Sequence, residues 1–361
     1  MARRVIFVLL GAGVLWVAWT GVSLWLTFRD VERITVDVEE ARDAIAALPQ
    51  VDRPPPPPVE VEPEQVPTMT TLPPRDITGD QLPYDLAFST SPAIPDEAFN
   101  AFLIIGSDTR AGLGGKRADV LILALLPEDG SAPILVSLPR DLWLRIPCWN
   151  SQNRINAALN GCGDAASGPE LLAITVAEFT GIKTDHFTLF DFEDFKKVID
   201  AFGGIEICVE VPTRFGTLEV PAGCTRVDGE EALSWVRSRK TTREFRDGRW
   251  RLKPGVNDLT RNERQREVLM QLLGNVKSLD TLLSLVNIVE SIADAVTIDD
   301  GITIGRATEL AWDMRSVSPG EIAQVTIPVR NHTTSGGAAV LLPTKPFAEV
   351  FAEFWPRPVE E

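Results

Sequence analysis

One large α/β domain, with a mixed, largely antiparallel central sheet flanked by helices and an N-terminal transmembrane helix ahead of it, is the architecture this sequence predicts. Three observations carry that expectation. Three apolar runs between Asn100 and Asp141 are separated only by a short glycine-rich loop and a tight turn. Beyond them, segments with apolar residues three and four apart are interspersed with short segments that alternate strictly. At the N-terminus, Val5 to Phe28 contains no charged residue.

That uncharged run exceeds the ~20 apolar residues needed to cross a bilayer. Arg3 and Arg4 precede it, and Trp16, Trp19 and Trp25 suit the interfaces. Residues 1–28 therefore read as a cytoplasmic stub and uncleaved signal anchor, which places the rest of the chain outside the cytoplasm. A cleaved signal peptide is the rival, but the run is long and no small-x-small site follows it. Residues 29–50 carry Val31, Ile34, Val38, Ala41, Ile45 and Leu48 in a short heptad seam. Two readings stay open there: a stalk helix that pairs weakly into a homodimer, and a solvated juxtamembrane helix. Residues 51–97 hold 12 of the 27 prolines, which makes them an extended spacer. Arg29 to Glu97 contain 15 acidic and 5 basic residues, so most of the net charge of −16 belongs to stalk and spacer and says nothing about substrate. Residues 98–356 are ample for one large extracytoplasmic α/β domain with its own core.

All four cysteines, Cys148, Cys162, Cys208 and Cys224, lie in that domain. An even count outside the cytoplasm points to disulfides. Nearness in sequence favours Cys148–Cys162 and Cys208–Cys224 among three possible connectivities. A zinc site lacks the C-x-x-C spacing.

In the central sheet, the loop between the runs at Phe102–Ile105 and Val120–Leu126 is too short for a parallel crossover, so they pair antiparallel. Glu128-Asp129-Gly130-Ser131 turns the chain into a third run, Pro133–Leu138. Asp108, Asp119 and Arg140 then meet at one rim, with Arg110 and Arg117 nearby. Paired carboxylates with open positions suit Mg²⁺ (or Mn²⁺), and arginine forks suit phosphate oxygens. Ordinary surface ion pairs are the plain alternative.

A helix opens at Gly168-Pro169-Glu170, carries Leu172, Val176 and Phe179 on one face, and stops at Gly181. Residues 185–190 form a strand whose His186 reads as structural. A second helix turns Phe195, Val198, Ile199 and Phe202 inward and ends at Gly203-Gly204. Ile205 to Val211 is a half-buried strand with Cys208 opposite Ile207 and Val209. Asp228 caps a helix running to Lys240, with Glu231 completing the box. Thr260 and Glu263 form a similar box for a helix from Arg261 to Val276. On it Arg261, Gln265, Leu269 and Leu272 share the inward face. Arg237 to Arg266 hold 11 basic against 4 acidic residues, which makes an inward-facing anion site the stronger reading over a solvated charged face. Nucleic acid is the alternative partner for such basic residues, but an extracytoplasmic domain rarely meets it.

These motifs resemble those of the LytR-CpsA-Psr family of bacterial cell-wall proteins from about Asn100 to Leu273. The matching pieces are Gly106-Ser107-Asp108-Thr109-Arg110, Arg117-Ala118-Asp119, Ser137-Leu138-Pro139-Arg140-Asp141 and Arg154-Ile155-Asn156-Ala157-Ala158. They continue through Asp185-His186-Phe187, Asp200 to Gly204, Asp228 to Leu233, Arg237-Ser238-Arg239 and Asp258-x-x-Arg261-x-x-Arg264-Gln265. The resemblance implies a phosphotransferase that moves a glycopolymer from a polyprenyl-pyrophosphate carrier to peptidoglycan through a phosphodiester. It implies Asp108 and Asp119 as ligands of Mg²⁺, and Arg140, Arg237 and Arg239 as the clamp on the pyrophosphate, with Arg110 and Arg117 nearby. Gln265 would complete the headgroup site, Asp258 and Arg261 would orient the clamp, and an apolar groove would take the lipid. A polyprenyl-phosphate sensor without turnover and a polyprenyl-pyrophosphate phosphatase remain alternatives. Thr241 to Asn257 is longer than the family pattern suggests and reads as a lid or an acceptor-binding hairpin.

Overall fold

A computed structural model describes residues 29, 31–48, 98–107, 117–149, 151–238, 241–256, 258–277, 296–303, 306, 309–310, 314 and 317–355. The expected membrane span and proline-rich spacer lie outside these. Among the described residues no helix is long and apolar enough to cross a membrane. Where the sequence suggested one domain, contacts divide the chain into two compact units interleaved along it. Of the described residues, the first unit takes those within 29–36, 98–140 and 184–327, and the second those within 37–48, 141–183 and 328–355.

The first unit comprises β1 (Arg33–Ile34), β2 (Phe99–Ser107), β3 (Ala118–Pro127), β4 (Ile134–Ser137), β5 (His186–Phe190) and α1 (Phe192–Ala201). It continues with β6 (Ile205–Val209), β7 (Thr213–Phe215), β8 (Leu218–Val220), β9 (Gly223–Val227) and α2 (Gly229–Arg237). β10 (Arg243–Arg246), β11 (Arg249–Leu252), α3 (Asp258–Lys277), β12 (Thr297–Asp299) and β13 (Ala323–Thr326) complete it.

The expected antiparallel meander is present as β2–β3–β4 at the centre of a seven-stranded sheet ordered β1-β12-β5-β2-β3-β4-β13. The sheet is mixed but not largely antiparallel. The β1–β12, β2–β5 and β4–β13 pairings are parallel, because long stretches of chain intervene and can act as crossovers. Leu103, Ile105, Leu123 and Leu125 are buried completely, which explains why these runs are almost continuously apolar.

The heptad seam at 29–50 does not form one stalk helix. Arg33–Ile34 is an edge strand, and Asp37 caps a helix confined to Val38–Ala47, accepting from the Glu40 N–H at 2.9 Å. In the second unit that helix packs on the helix Gly168–Thr180, burying Ala41 and Ile45. The seam offered to a second copy is thus already used within the chain. Gly168–Thr180 has the capping box of Ser167 and Glu170 and a left-handed Gly181 at its end. Phe179 on its inner face meets Phe347, with ring centroids 5.7 Å apart. Cys148 and Cys162 are bonded in this unit. In the first unit Cys208 and Cys224 are cross-strand partners on β6 and β9 and are bonded too. The local pairs inferred from sequence therefore both form.

Three boundaries differ from those read in the sequence. β6 ends at Val209 rather than Val211. α2 ends at Arg237 rather than Lys240, since Ser238 is extended and the buried Arg264 satisfies the terminal carbonyls. α3 starts at Asp258 rather than Arg261, because an acid in the first turn complements the helix dipole. The stretch from Thr241 forms a hairpin, β10–β11, around Asp247-Gly248. Both turn residues have positive φ (51° and 73°), as a two-residue turn of this hand requires. The hairpin joins β7 and β8 in a second, four-stranded sheet.

Two buried charges hold the first unit together. Arg264 donates through Nη1 to Trp235 O (3.0 Å) and Ser238 O (2.7 Å), so α3 caps α2. Its guanidinium also lies over Phe215. Burial lowers its pKa, opposed by Glu267 and Glu263. Asp299 on β12 meets His186 Nδ1 at 3.2 Å and accepts from the Phe187 and Gly301 N–H groups at 2.8 and 2.9 Å. Burial works against its ionisation, yet the hydrogen bonds together outweigh it and hold the carboxyl below the usual range. His186 is thus structural, as read from sequence.

Two outcomes follow. Arg264→Met keeps the stem but removes the donor to Ser238 O and leaves Trp235 O with only the Ser238 N–H at 3.3 Å, so chemical denaturation should show a loss of about 1–3 kcal/mol. For Asp299 the folded pKa is depressed. Its contribution is therefore complete above the ordinary value of about 4 and vanishes as pH falls through the folded value. Asp299→Asn should lower the melting temperature at pH 7 and flatten the acid limb of the stability–pH curve.

Candidate active site

The pairing of β2 with β3 runs in step from Phe99 opposite Pro127 to Gly106 opposite Val120, then shifts, leaving Ser107 opposite Ala118. Asp119 is the extra residue of this bulge, and bulges re-aim side chains. In strict alternation Asp119 would share a face with Leu121 and Leu123. The bulge instead brings it to the cavity lined by Val120 and Ile122. Gly106 is required here, since a Cβ would lie 2.9 Å from Val120 Cβ and 3.1 Å from the Phe190 ring.

The cavity has a volume of about 430 Å³. Ile104, Val120 and Ile122 form its sheet side. α1 contributes Phe195 and Val198, α2 contributes Leu233 and Val236, and α3 contributes Val268, Leu269 and Leu272. Each helix turns an amphipathic face to the sheet, and the apolar side chains leave room between them for a slender hydrocarbon.

Polar groups gather in the same cavity. Arg140, which follows β4, donates through Nη1 to Asp119 Oδ1, and both side chains are largely withdrawn from solvent. Arg237 at the C-terminal end of α2 lies over the Phe192 ring at 4.3 Å, which orients its guanidinium. The negative end of the α2 dipole favours a cation there. Gln265 on α3 and Ser107 on β2 also line the space.

The structure therefore brings together four of the residues read from sequence: Asp119, Arg140, Arg237 and Gln265. Arg117 is exposed just before β3 and does not line the cavity. Asp108, Arg110 and Arg239 lie outside the described residues, as do the side chains of Asp258 and Arg261, although both positions fall in the first turns of α3. Asp119 and Arg140, read as metal ligand and phosphate clamp, are bonded to each other here.

Sequence reasoning missed Arg264, which caps α2 beside the cavity. Its spacing of four from the buried Val268 was the available signal. It also missed Phe192, whose ring supports Arg237, because one aromatic residue beside a helix cap has no distinguishing pattern.

Comparison with known proteins identifies relatives of this chain. A "Probable cell wall biosynthesis protein LcpB" from Corynebacterium glutamicum is 32% identical over 255 residues, covering 65% of this chain and 56% of that protein. A "Polyisoprenyl-teichoic acid--peptidoglycan teichoic acid transferase TagU" from Oceanobacillus iheyensis is 29% identical over 198 residues, covering 55% of this chain and 58% of its own length. The chain thus spans a little over half the length of these curated relatives. Among solved structures, a LytR-Csp2A-Psr enzyme from Actinomyces oris superposes with a TM-score of 0.57 at 25% identity, over 74% of this chain and 93% of that one. The structure described as TagT bound to LIIa-WTA shares the fold, with a TM-score of 0.54 at 20% identity, over 73% and 92% of the two chains. The profile of the LytR_cpsA_psr family matches residues 78–353, and the chain belongs to that family.

Proposed function

We propose that this chain is a phosphotransferase that moves a glycopolymer from a polyprenyl-pyrophosphate carrier onto peptidoglycan. The observation that carries the reading is one cavity with an apolar interior and Asp119, Arg140 and Arg237 in its lining. A polyprenyl diphosphate has the same division between hydrocarbon and anionic headgroup. Relatives named as transferases of teichoic acid to peptidoglycan support the class of reaction.

In this reading the isoprenoid lies against Ile104, Ile122 and the helices. Arg140 and Arg237 hold the pyrophosphate oxygens, and Gln265 adds a neutral hydrogen-bonding group. An acceptor hydroxyl attacks the phosphorus that carries the glycopolymer. The bond to the bridging oxygen breaks, polyprenyl phosphate leaves, and the hydroxyl proton is lost to solvent or to a carboxylate. Positioned cations are the main requirement, since the developing charge sits on phosphate oxygens. Asp119 is a hard-oxygen donor in the cavity lining, and with Asp108 it fits Mg²⁺ or Mn²⁺. Such an ion would neutralise charge on the pyrophosphate. On the family resemblance, Arg110 and Arg239 would add positive charge to the site, with Arg117 contributing from outside the cavity, and Asp258 and Arg261 would orient the clamp.

The same reading assigns residues 5–28 as the membrane anchor, with the N-terminus cytoplasmic and both units outside. Two disulfides suit that oxidising side.

Donor affinity and transfer rate for each variant test the proposal, with lipid-linked donor, Mg²⁺ and acceptor glycan. Asp108→Ala and Asp119→Ala should each cost about 10²–10³-fold in transfer, with donor affinity changing much less. Arg140→Ala and Arg237→Ala should also weaken donor binding about 10- to 100-fold, as expected for charge-assisted bonds. Lysine at these positions should rescue only in part. Lys197→Ala, on the exposed side of α1, serves as the charge control. Near-normal transfer by both folded aspartate variants would defeat the reading. Carrier hydrolysis without acceptor would favour a phosphatase, and binding without turnover a sensor.

A further inference from the structure

The four-stranded sheet β8-β7-β10-β11 buries one face and exposes the other. On the buried face Thr213 and Phe215 of β7 point inward, and Phe215 joins a core with Leu233 of α2 and Val268 of α3. Glu244 of β10 lies on the same face, bonded to Arg246 and Lys253 at 2.8 and 3.0 Å. Directly opposed residues share a face, so register defines the outer one. Phe245 opposes Trp250, and Arg243 opposes both Leu252 and Arg214. The outer face thus carries Phe245, Trp250 and Leu252 together, flanked by Arg214 and Arg243.

This triad is unusual within the chain. Among the described residues only three large apolar side chains are exposed, and Phe245 (40%) and Leu252 (61%) are two of them. Around them the hairpin is basic. Residues 243–253 hold five basic against two acidic residues in a chain whose net charge is −16. Arg246, Arg249 and Arg251 lie on the opposite face near the tip, where Arg246 pairs with Glu244 and Arg251 with Asp247, and the hairpin keeps a net positive charge.

The geometry points to this hairpin as a membrane-contact element that inserts Phe245, Trp250 and Leu252 into the interface of an anionic lipid surface, with its arginines among the headgroups. Aromatic rings favour that depth, and long basic side chains reach the headgroups while their stems stay apolar. Because the rest of the chain is acidic and repelled by such a surface, the basic hairpin also sets the orientation of approach.

Other occupants fit less well. A sugar would need an open aromatic face, but Arg214 already lies 4.0 Å above the Trp250 ring and Phe245 packs beside it at 5.3 Å. Leu252, the most exposed of the three, offers a sugar no ring at all. A stable protein interface needs a much larger patch than three side chains. The inference stands apart from the transferase reading, since it concerns a different surface and its readout needs no transfer.

The test uses the full chain reconstituted in phosphatidylcholine vesicles with and without phosphatidylglycerol, and a lipid carrying a photoreactive group at headgroup depth. Mass spectrometry then compares labelling of residues 241–256 with that of the hairpin at 329–343 as a reference surface. The expected result is labelling of 241–256 several-fold above the reference, increased by phosphatidylglycerol and reduced by high salt. Phe245→Ser with Leu252→Ser should bring it to the reference level without shifting the thermal melt, since both side chains lie outside the core. Arg243→Glu with Arg249→Glu should remove only the phosphatidylglycerol dependence. Labelling no higher than the reference, or unchanged by Phe245→Ser with Leu252→Ser, overturns the proposal. Protection of 241–256 by soluble dextran sulfate together with reference-level lipid labelling overturns it in favour of a polyanionic polymer.

Discussion

Strands β2 and β3 stay in register for eight residue pairs and then slip by one at Gly106, and the chemistry of the first unit depends on that slip. Without it, strict alternation would send Asp119 to the face of Leu121 and Leu123, where a carboxylate would be costly to bury. The slip carries Asp119 to the cavity side, where Arg140 meets it. Gly106 permits the slip because Val120 and Phe190 leave no room for a Cβ. A substitution at Gly106 would therefore reach the site without touching a charged residue.

Cations around the cavity are held by different partners, and these divide their work. Arg140 rests on a carboxylate and Arg237 on an aromatic ring, whereas Arg264 rests on the carbonyls at the end of α2. The first two remain within reach of a ligand. Arg264 is committed to structure: by closing α2 at Ser238, it sets the point at which Arg237 leaves the helix. Burial makes its charge costly, and the helix C-terminus compensates with dipole and hydrogen bonds together.

Much of this was legible in the sequence. The meander followed from loop length, and the gathering of Asp119 and Arg140 at one rim followed from the meander, whereas the bulge that turns Asp119 to the cavity did not show. Both disulfides followed from nearness along the chain. The helices Gly168–Thr180 and Phe192–Ala201 showed their inner faces and terminating glycines directly, though not their N-caps, Ser167 and Asp191. What escaped depends on tertiary partners. The three parallel pairings need strands far apart in sequence, so no local pattern reveals them. The seam at 29–50 has the spacing of a helix, yet Arg33–Ile34 is an edge strand because β12 offers it a partner. The end of α2 was misplaced because its capping group, Arg264, comes 27 residues after Arg237. The hairpin's composition was visible as basic, but only the cross-strand register gathers Phe245, Trp250 and Leu252 onto one face.

The interleaving of the two units bears on how the protein is made. β1, near the N-terminus, pairs with β12, and β4 is completed on its other edge by β13 at Ala323–Thr326. The second unit likewise waits for its C-terminal stretch, since Phe347 packs on Phe179. The first unit cannot close before Ala323–Thr326 is present, nor the second before Phe347. Such long-range closure slows folding and prolongs exposure of strand edges. A chain waiting for those segments holds its strand edges unpaired in the meantime, which makes it a natural client for a holdase.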